Sequence, residues 1–451
     1  MSLWTAADIA AATGGTASAD FAVDGVTFDS RDVTHGDFFV AMPGSATDGH
    51  RFVAGAFESG ASGALVSQPV NGPHILVPDV ARGLEALGIA ARTRTEARIA
   101  GVTGSVGKTS TKEALAAALA RQPGVKVHRS VKSYNNHTGV PLSLSRMPAN
   151  SDYGVFEMGM NHAREIASLT CMVRPHIALI TAIAPAHIEH LGSLEAIADA
   201  KAEIFEALEP GGTAIIPADA AHADRIIAKA QDAGAAIVTF GEGGLVRAED
   251  VFADASGTQL TAHLLSGQVS FRLNQPGAHW VSNALGVLAT VEALGGDIGI
   301  AALALGELEG LAGRGARFNA RGATIIDESY NANAASMAAT LKVLGHEPGR
   351  RIAVLGEMFE LGDDSAELHR LIAGPVIEAG VTHAILVGDG MKPLADALAG
   401  QTGVETVDSA ETALDALKAV LQGGDAVLVK GSNGVGLGRL IAALKEDRCS
   451  I

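Results

Sequence analysis

Cysteine is nearly absent: Cys171 and Cys449 are the two in 451 residues. Two thiols cannot build a disulfide framework, so a reducing, cytosolic compartment is expected. Aromatic side chains make up only 4%, which leaves alanine, valine, leucine and isoleucine to fill the core. Positive charge is outnumbered, with 33 Lys and Arg against 50 Asp and Glu and a formal net charge of −17. That balance argues against nucleic acid and anionic membranes as partners. It also requires any phosphate site to concentrate its own cations and amide dipoles. No apolar run reaches the roughly 18 residues of a membrane span, and no basic n-region or apolar h-region opens the chain. Neither a membrane segment nor a signal peptide is expected.

What is present is a loop for phosphate. Residues 101–111 read Gly-Val-Thr-Gly-Ser-Val-Gly-Lys-Thr-Ser-Thr. A β-branched run from Ile99 to Thr103 enters it, and a helical pattern over Lys112–Arg121 leaves it. Gly104 and Gly107 let the amides of Ser105, Val106 and Ser110 turn toward an anion at a helix N-terminus. Lys108 supplies a point charge for the β- and γ-phosphates, and the Thr109 hydroxyl suits Mg²⁺. The spacing is Gly-x2-Gly-Lys-Thr, because Val102 stands where the general Gly-x4-Gly-Lys-Ser/Thr loop has glycine. This argues for a nucleoside triphosphate site and against an ordinary GTPase.

Length sets a prior of about two to four domains, and the pattern along the chain favours three. Residues 1–80 alternate short strands with one helical stretch, Arg51–Gly60, after a buried strand at 38–42. From 81 to 313, strand candidates Ile99–Thr103, Gly154–Met158, Ile177–Thr181, Thr213–Ile216 and Ala236–Phe240 alternate with helices such as His162–Met172 and Leu194–Leu208. That alternation indicates an α/β fold with a mostly parallel sheet covered on both faces. Strand-like segments at 250–275 interrupt it before a helix near His279–Leu294. Small residues cluster at 309–313, and a second alternating block fills 314–451, with strands at Ala323–Asp327, Arg351–Gly356, His383–Val387 and Ala426–Val429.

Glu157 closes a strand in Gly-Val-Phe-Glu-Met-Gly-Met-Asn-His, where α/β sheets bind ligands, and can share a Mg²⁺ with Thr109. His187 follows another strand. Lys201 lies on a helix among Ile197, Ala198, Ala202, Ile204 and Phe205. A desolvated lysine loses part of its preference for the charged form, and a neutral amine can take up CO₂ as a carbamate, an oxygen ligand for Mg²⁺.

These residues carry a resemblance. Gly-Ser-Val-Gly-Lys-Thr, Asn135-Asn136-His-Thr-Gly-Val-Pro-Leu, Glu157-Met-Gly, Asn161-His162, Ala186-His187-Ile-Glu-His-Leu-Gly-Ser and Glu195–Phe205 together are similar to the Mur ligases, ATP-dependent amide ligases of peptidoglycan synthesis. The match spans essentially the whole chain. It implies a small N-terminal α/β domain for a UDP-sugar, a central P-loop ATPase domain and a C-terminal Rossmann-like domain. Asp327-Glu-Ser-Tyr-Asn-Ala-Asn, Val354-Leu-Gly-Glu-Met-Phe-Glu-Leu-Gly and Val429-Lys-Gly-Ser-Asn-Gly resemble the family's dipeptide-adding member. The substrates so implied are UDP-N-acetylmuramoyl-tripeptide and D-alanyl-D-alanine, with ATP and two Mg²⁺ ions.

The resemblance further implies that Lys108 and the loop amides hold phosphates, with Thr109 and Glu157 on the first Mg²⁺. His187 and a carbamate on Lys201 serve the second, and Asn136 approaches the phosphates and the reacting carboxylate. His279 and Asn283 resemble the adenine-binding segment, Arg314 a phosphate-contacting arginine, and Asp327, Tyr330 and Asn331 residues facing the nucleoside. Ser30, Arg31, Asp48 and His50 resemble UDP-sugar contacts. Asn135, Thr138, Asn161 and His162 fall in substrate-facing motifs, and Lys430 and Ser432 are placed to meet the dipeptide. Glu328, Ala334, Glu357 and Asn433 depart from the family pattern, and Asn433 bears on how the dipeptide carboxylate is held. A monomer is expected. A sibling ligase adding one amino acid, a folylpolyglutamate-type ligase and a non-catalytic nucleotide-binding regulator remain open alternatives.

Overall fold

The computed structural model describes residues 2–44, 47–185, 188–254 and 256–447. Three sheets carry the architecture. The first is five-stranded, in spatial order Thr16–Ala17, His74–Leu76, Gly63–Val66, Asp37–Val40, Gly25–Thr27, parallel except for its first strand. The helix Val80–Thr93 starts at Asp79, whose side chain accepts from the Arg82 N–H. It buries Val80, Leu84, Leu87 and Ala91 against that sheet's core, together with Leu142 from the next domain.

The second sheet is six-stranded and wholly parallel, in the order Ala236–Phe240, Thr213–Pro217, Ile177–Ile180, Arg98–Thr103, Tyr153–Glu157, Val127–Arg129. Its central strand is Arg98–Thr103, and a strand buried on both faces needs an almost unbroken apolar run, which Ile99–Val102 supplies. The phosphate loop therefore leaves the middle of the sheet, at the strands' C-terminal edge. An antiparallel three-stranded sheet, Arg247–Asp254, Gly257–His263 and Gln268–Leu273, packs through Leu260, Ala262 and Leu273 into the same core.

The third sheet runs Ala316–Ala320, Ala323–Glu328, Ala426–Lys430, Arg351–Gly356, Val381–Val387, Gly403–Val407, with only the first strand antiparallel. Helices lie on both faces, as its two separate apolar clusters show.

Several boundaries differ from the sequence expectation. The helix after the phosphate loop begins at Lys108, not Lys112. The expected helix from His162 begins at Glu165, because Arg164 is left-handed (φ 71°) and the Glu165 carboxylate instead accepts the Asn161 and His162 N–H groups. The helix expected to reach Leu208 ends at Ala202 and tightens into a 3-10 turn, Glu203–Phe205. In place of one helix over Arg51–Gly60 there is a 3-10 turn, Gly49–Phe52, and then Val53–Glu58. The short edge strand Val127–Arg129 carries too few residues for a periodicity and has no counterpart in the sequence expectation.

Candidate active site

Two glycines shape the phosphate loop. Gly104 has φ +144°, and a Cβ there would lie 2.0 Å from Thr181 Oγ1. Gly107 has φ +83°, and its Cβ would lie 2.8 Å from Asn283 Oδ1. Any side chain at either position would strain the backbone and collide. The Thr181 hydroxyl donates to Val106 O at 2.5 Å and fixes the loop from the neighbouring strand. Ser105 Oγ does the same from the other side through Ala184 O. No side chain caps the helix that starts at Lys108, so its first-turn amides face the cavity without a competing carboxylate.

Lys108 Nζ donates to Gly104 O at 2.7 Å, folded back on its own loop. Burial pulls its pKa down, opposed by Glu157 and reinforced by Arg314. Glu157 is 1% exposed. One of its oxygens accepts from Thr109 Oγ1 at 2.8 Å and the other from Asn135 Nδ2 at 2.7 Å. The Thr109 hydroxyl also lies 3.3 Å from Ser133 Oγ.

Across the cavity stands the third domain. Arg314 places its guanidinium carbon 4.0 Å from the Tyr330 ring centroid and donates to Ser133 Oγ at 3.1 Å, bridging two domains. Lys430 is buried. Its Nζ donates to Asn331 O at 2.9 Å and lies 3.6 Å from Glu328 Oε2. Burial raises the Glu328 pKa, with Lys430 opposing, and the same burial lowers that of Lys430. His279 is pushed down to about 4 by burial, with Lys430 adding to the shift, so its imidazole is neutral.

These groups enclose a cavity of about 460 Å³ between the second and third domains. Ser105, Val106, Gly107, Lys108, Ser110 and Glu157 line one wall. Arg314, Tyr330, Asn331 and Lys430 of the third domain also line the cavity, as do His279, Asn283, Asn135 and Asn161 of the second, with Asn283 beside Gly107. The volume suits a nucleotide-sized ligand.

Other expected site residues stand elsewhere. Asn136 is exposed, and its Oδ1 accepts from Thr138 N, Thr138 Oγ1 and Gly139 N. It holds the turn that leads into the helix Gly139–Ser145, and Asn135 is the asparagine that reaches Glu157. Asp327 is 2% exposed and accepts from Gly313 N, Ser329 N and Ser329 Oγ, which fixes the interdomain linker; it does not face the cavity. His162 pairs with Glu165 Oε1 at 3.3 Å. Ser432 Oγ accepts from the Phe359 N–H.

In the first domain Arg31 forks onto Asp29 at 2.8 and 2.6 Å, and that hydrogen-bonded pair holds the Asp29 carboxyl down to about 2. Ser30 is half-buried beside it. His50 Nε2 accepts from the Ser67 N–H, so its Nδ1 carries the hydrogen donated to Asp48 at 2.6 Å. His187 lies outside the described residues.

Lys201 is 1% exposed, and its Nζ is buried with no hydrogen-bond partner among the described residues. Burial pushes its pKa well below the ordinary lysine value, with Lys108 contributing. Sequence reasoning misses Ser133 and Thr181. Only their positions, one in a polar loop before Asn135 and one at a strand end, could have marked them.

The oxygen donors Thr109 and Glu157 fit a hard cation. Among the described residues no three His, Cys, Asp or Glu side chains converge on one point. Mg²⁺ tolerates such a sparse protein set because it keeps waters and substrate phosphates.

Three family models match: Mur ligase family, catalytic domain over residues 22–132; Mur ligase middle domain over 102–291; and Mur ligase, glutamate ligase domain over 313–433. The UDP-N-acetylmuramoyl-tripeptide–D-alanyl-D-alanine ligase of Synechocystis is 36% identical over 95% of this chain and 94% of that one. The enzyme of the same name from Escherichia coli is 34% identical over 95% of each. A crystal structure of MurF from Acinetobacter baumannii superposes with TM-score 0.87 and 31% identity, over 98% of this chain and 99% of that one.

Proposed function

Since the chain belongs to the Mur ligase family, we propose that it joins D-alanyl-D-alanine to UDP-N-acetylmuramoyl-tripeptide at the expense of ATP, releasing ADP and phosphate. The observation that carries this reading is the phosphate loop facing Arg314, Asn331 and Lys430 of the third domain across one cavity. Full-length relatives named for this ligation agree with it. Solved structures of a diaminopimelate-adding ligase and of a folylpolyglutamate synthase resemble this chain at only 20% and 18% identity, which marks a shared fold alone.

A carboxylate does not form an amide at neutral pH because oxide is a poor leaving group. The tripeptide's terminal carboxylate oxygen attacks the γ-phosphorus of ATP, and the bond to ADP breaks. The dipeptide amine then attacks the carbonyl carbon of the acyl phosphate, loses its proton, and the tetrahedral intermediate expels phosphate. Lys108, the loop amides and Arg314 offset the charge that builds as two anions meet. Glu157 and Thr109 hold a Mg²⁺ that neutralises phosphate charge. His279 and Asn283 bound the adenine side, and Tyr330 and Asn331 cover the nucleoside from the third domain. Ser30, Arg31, Asp48 and His50 bind the UDP-sugar, and Lys430 and Ser432 the dipeptide. Closure of the third domain excludes water from the acyl phosphate.

Lys201 carries the second metal in this reading. Burial works against the charged form of its amine, and among the described residues no acceptor engages its nitrogen. That nitrogen bonds to the carbon of CO₂ and releases a proton, which gives a carbamate oxygen ligand. The family resemblance adds His187 as a further ligand of that metal.

The groups invoked all belong to one chain, so a monomer suffices. Among the described residues no helix is long and apolar enough to cross a membrane. We place the reaction in the cytoplasm, in keeping with the near absence of cysteine.

Phosphate release from purified enzyme, measured over a panel of amino acceptors, tests the assignment. Release that requires both UDP-N-acetylmuramoyl-tripeptide and D-alanyl-D-alanine supports it. Release with a single amino acid, or with glutamate on folate, overturns it.

A further inference from the structure

Lys112 stands one turn beyond Lys108 on the helix that leaves the phosphate loop, and its side chain is fully buried. An ammonium taken out of water is costly unless each N–H finds an acceptor. Lys112 Nζ donates to Ser130 O at 2.9 Å and Lys132 O at 2.8 Å, and lies 2.7 Å from Glu113 Oε1. Two donors meet carbonyls and the Glu113 carboxylate pairs with the charge.

The segment it grips is strained. Lys132 is left-handed, with φ +52°, a conformation that persists in a non-glycine residue only where the surroundings over-determine it. The bend sends successive side chains to all three domains. Lys132 Nζ reaches Asp32 Oδ2 of the first domain at 2.6 Å, and the Tyr134 ring meets Phe28 of that domain at 5.2 Å between centroids. Ser133 Oγ lies beside Thr109 and accepts from Arg314 of the third domain. Asn135 donates to Glu157. Lys112 itself lines no part of the nucleotide cavity.

We propose that Lys112 is a positioning residue that couples the first domain's substrate to the nucleotide site through residues 130–135. Ordering of the Asp29–Asp32 loop by the UDP-sugar fixes Lys132. The clamped segment then fixes Ser133 and Asn135 around Thr109, Glu157 and Arg314. By linkage the effect is reciprocal: nucleotide binding tightens the sugar nucleotide by the same factor. The inference rests on the functional reading above, which places ATP at the phosphate loop and the UDP-sugar in the first domain.

Calorimetry on the full chain tests it. The affinity of the non-hydrolysable ATP analogue AMPPNP with Mg²⁺ is measured with and without UDP-N-acetylmuramoyl-tripeptide. In the wild type the sugar nucleotide is expected to tighten the analogue on the order of 10-fold. Lys112→Met keeps the chain's bulk and removes the ammonium. It is expected to bind each ligand alone within about twofold of wild type and to lose the mutual enhancement.

Enhancement that survives in Lys112→Met overturns the proposal, as does its absence from the wild type. An equal loss of nucleotide affinity with and without the sugar nucleotide also overturns it, because that marks a merely structural role. Should Lys112→Met not fold, Lys132→Gln reads the same coupling. Its side chain is exposed, and the change removes the ammonium that bridges to Asp32 and lies over the Tyr134 ring. Reduced enhancement there supports the proposal, and wild-type enhancement overturns it. A wild-type chain that binds no nucleotide sinks the functional reading itself, and the two failures are thereby told apart.

Discussion

Lys112 and Lys201 are both fully buried lysines of the second domain, on the two helices that flank its nucleotide-binding edge, and they differ in every contact. Lys112 donates to two carbonyls and pairs with the Glu113 carboxylate. Lys201 finds no acceptor among the described residues. A buried ammonium that meets two carbonyls and a carboxylate is a structural clamp, whereas burial of an amine without such partners works against its charged form. The contrast teaches that burial alone does not assign a role; the partner count does.

The strongest way to break this contrast is at Lys201. Lys201→Ala is expected to lower phosphate release by roughly two to three orders of magnitude, the scale of losing one preorganised electrostatic group. Short carboxylates such as formate or acetate are expected to restore part of the rate, and native mass spectrometry of the wild type should show the mass of one CO₂ on this residue. Full activity of the alanine variant without rescue would remove the distinction.

Buried neutral bases sharpen the point through pH. His279 and His128 are both pushed down to about 4 by burial. The unfolded chain protonates these histidines near pH 6.5 and the folded chain does not, so stability falls as pH drops from about 6.5 toward 4. Each contributes up to roughly 3 kcal/mol to that fall. Urea midpoints at pH 7 and 5 measure it, and His128→Gln should flatten the slope. A variant as pH-sensitive as wild type would rule out the desolvated His128 ring as a source of the acid sensitivity.

The same denaturation experiment separates the two lysines directly. Lys112→Met orphans the Ser130 and Lys132 carbonyls and should cost about 1–3 kcal/mol. Lys201→Met replaces an unsatisfied buried nitrogen with a thioether, so it should be neutral or stabilising. Equal losses would mean that the partner counts misrepresent the interior. Smallest of all, Asp32→Ala removes a half-exposed bridge and should change stability by less than about 1 kcal/mol. Its signature is expected in ligand coupling instead.

The phosphate loop is legible because its geometry is contiguous. Strand, two glycines, lysine, threonine and helix follow one another within a dozen positions, and each is required by local sterics. The parallel sheet is legible from apolar runs such as Ile99–Val102. Asn136 is the residue expected at the phosphates, yet Asn135 is the one that reaches Glu157, because adjacent identical residues give no sign of which one the turn before Gly139–Ser145 engages. Asp327 reads as facing the nucleoside, whereas the linker amide of Gly313 turns it inward. The roles of Ser133 and Thr181 stay hidden, since a hydroxyl in a loop looks alike whether it meets water or Arg314.

Chain order by itself determined where a triphosphate can sit, which strands bury both faces, and that the molecule has three α/β units. Those properties follow from neighbours within a few residues, whose sterics and apolar periodicity act before any distant contact forms. Folding in three dimensions decided which asparagine meets Glu157, which buried lysine is clamped and which finds no acceptor among the described residues, and how Ser133 comes to stand between Thr109 and Arg314. These depend on groups far apart along the chain, brought together only when whole domains pack, and hydrogen-bond partnership at such distances leaves no local pattern to read.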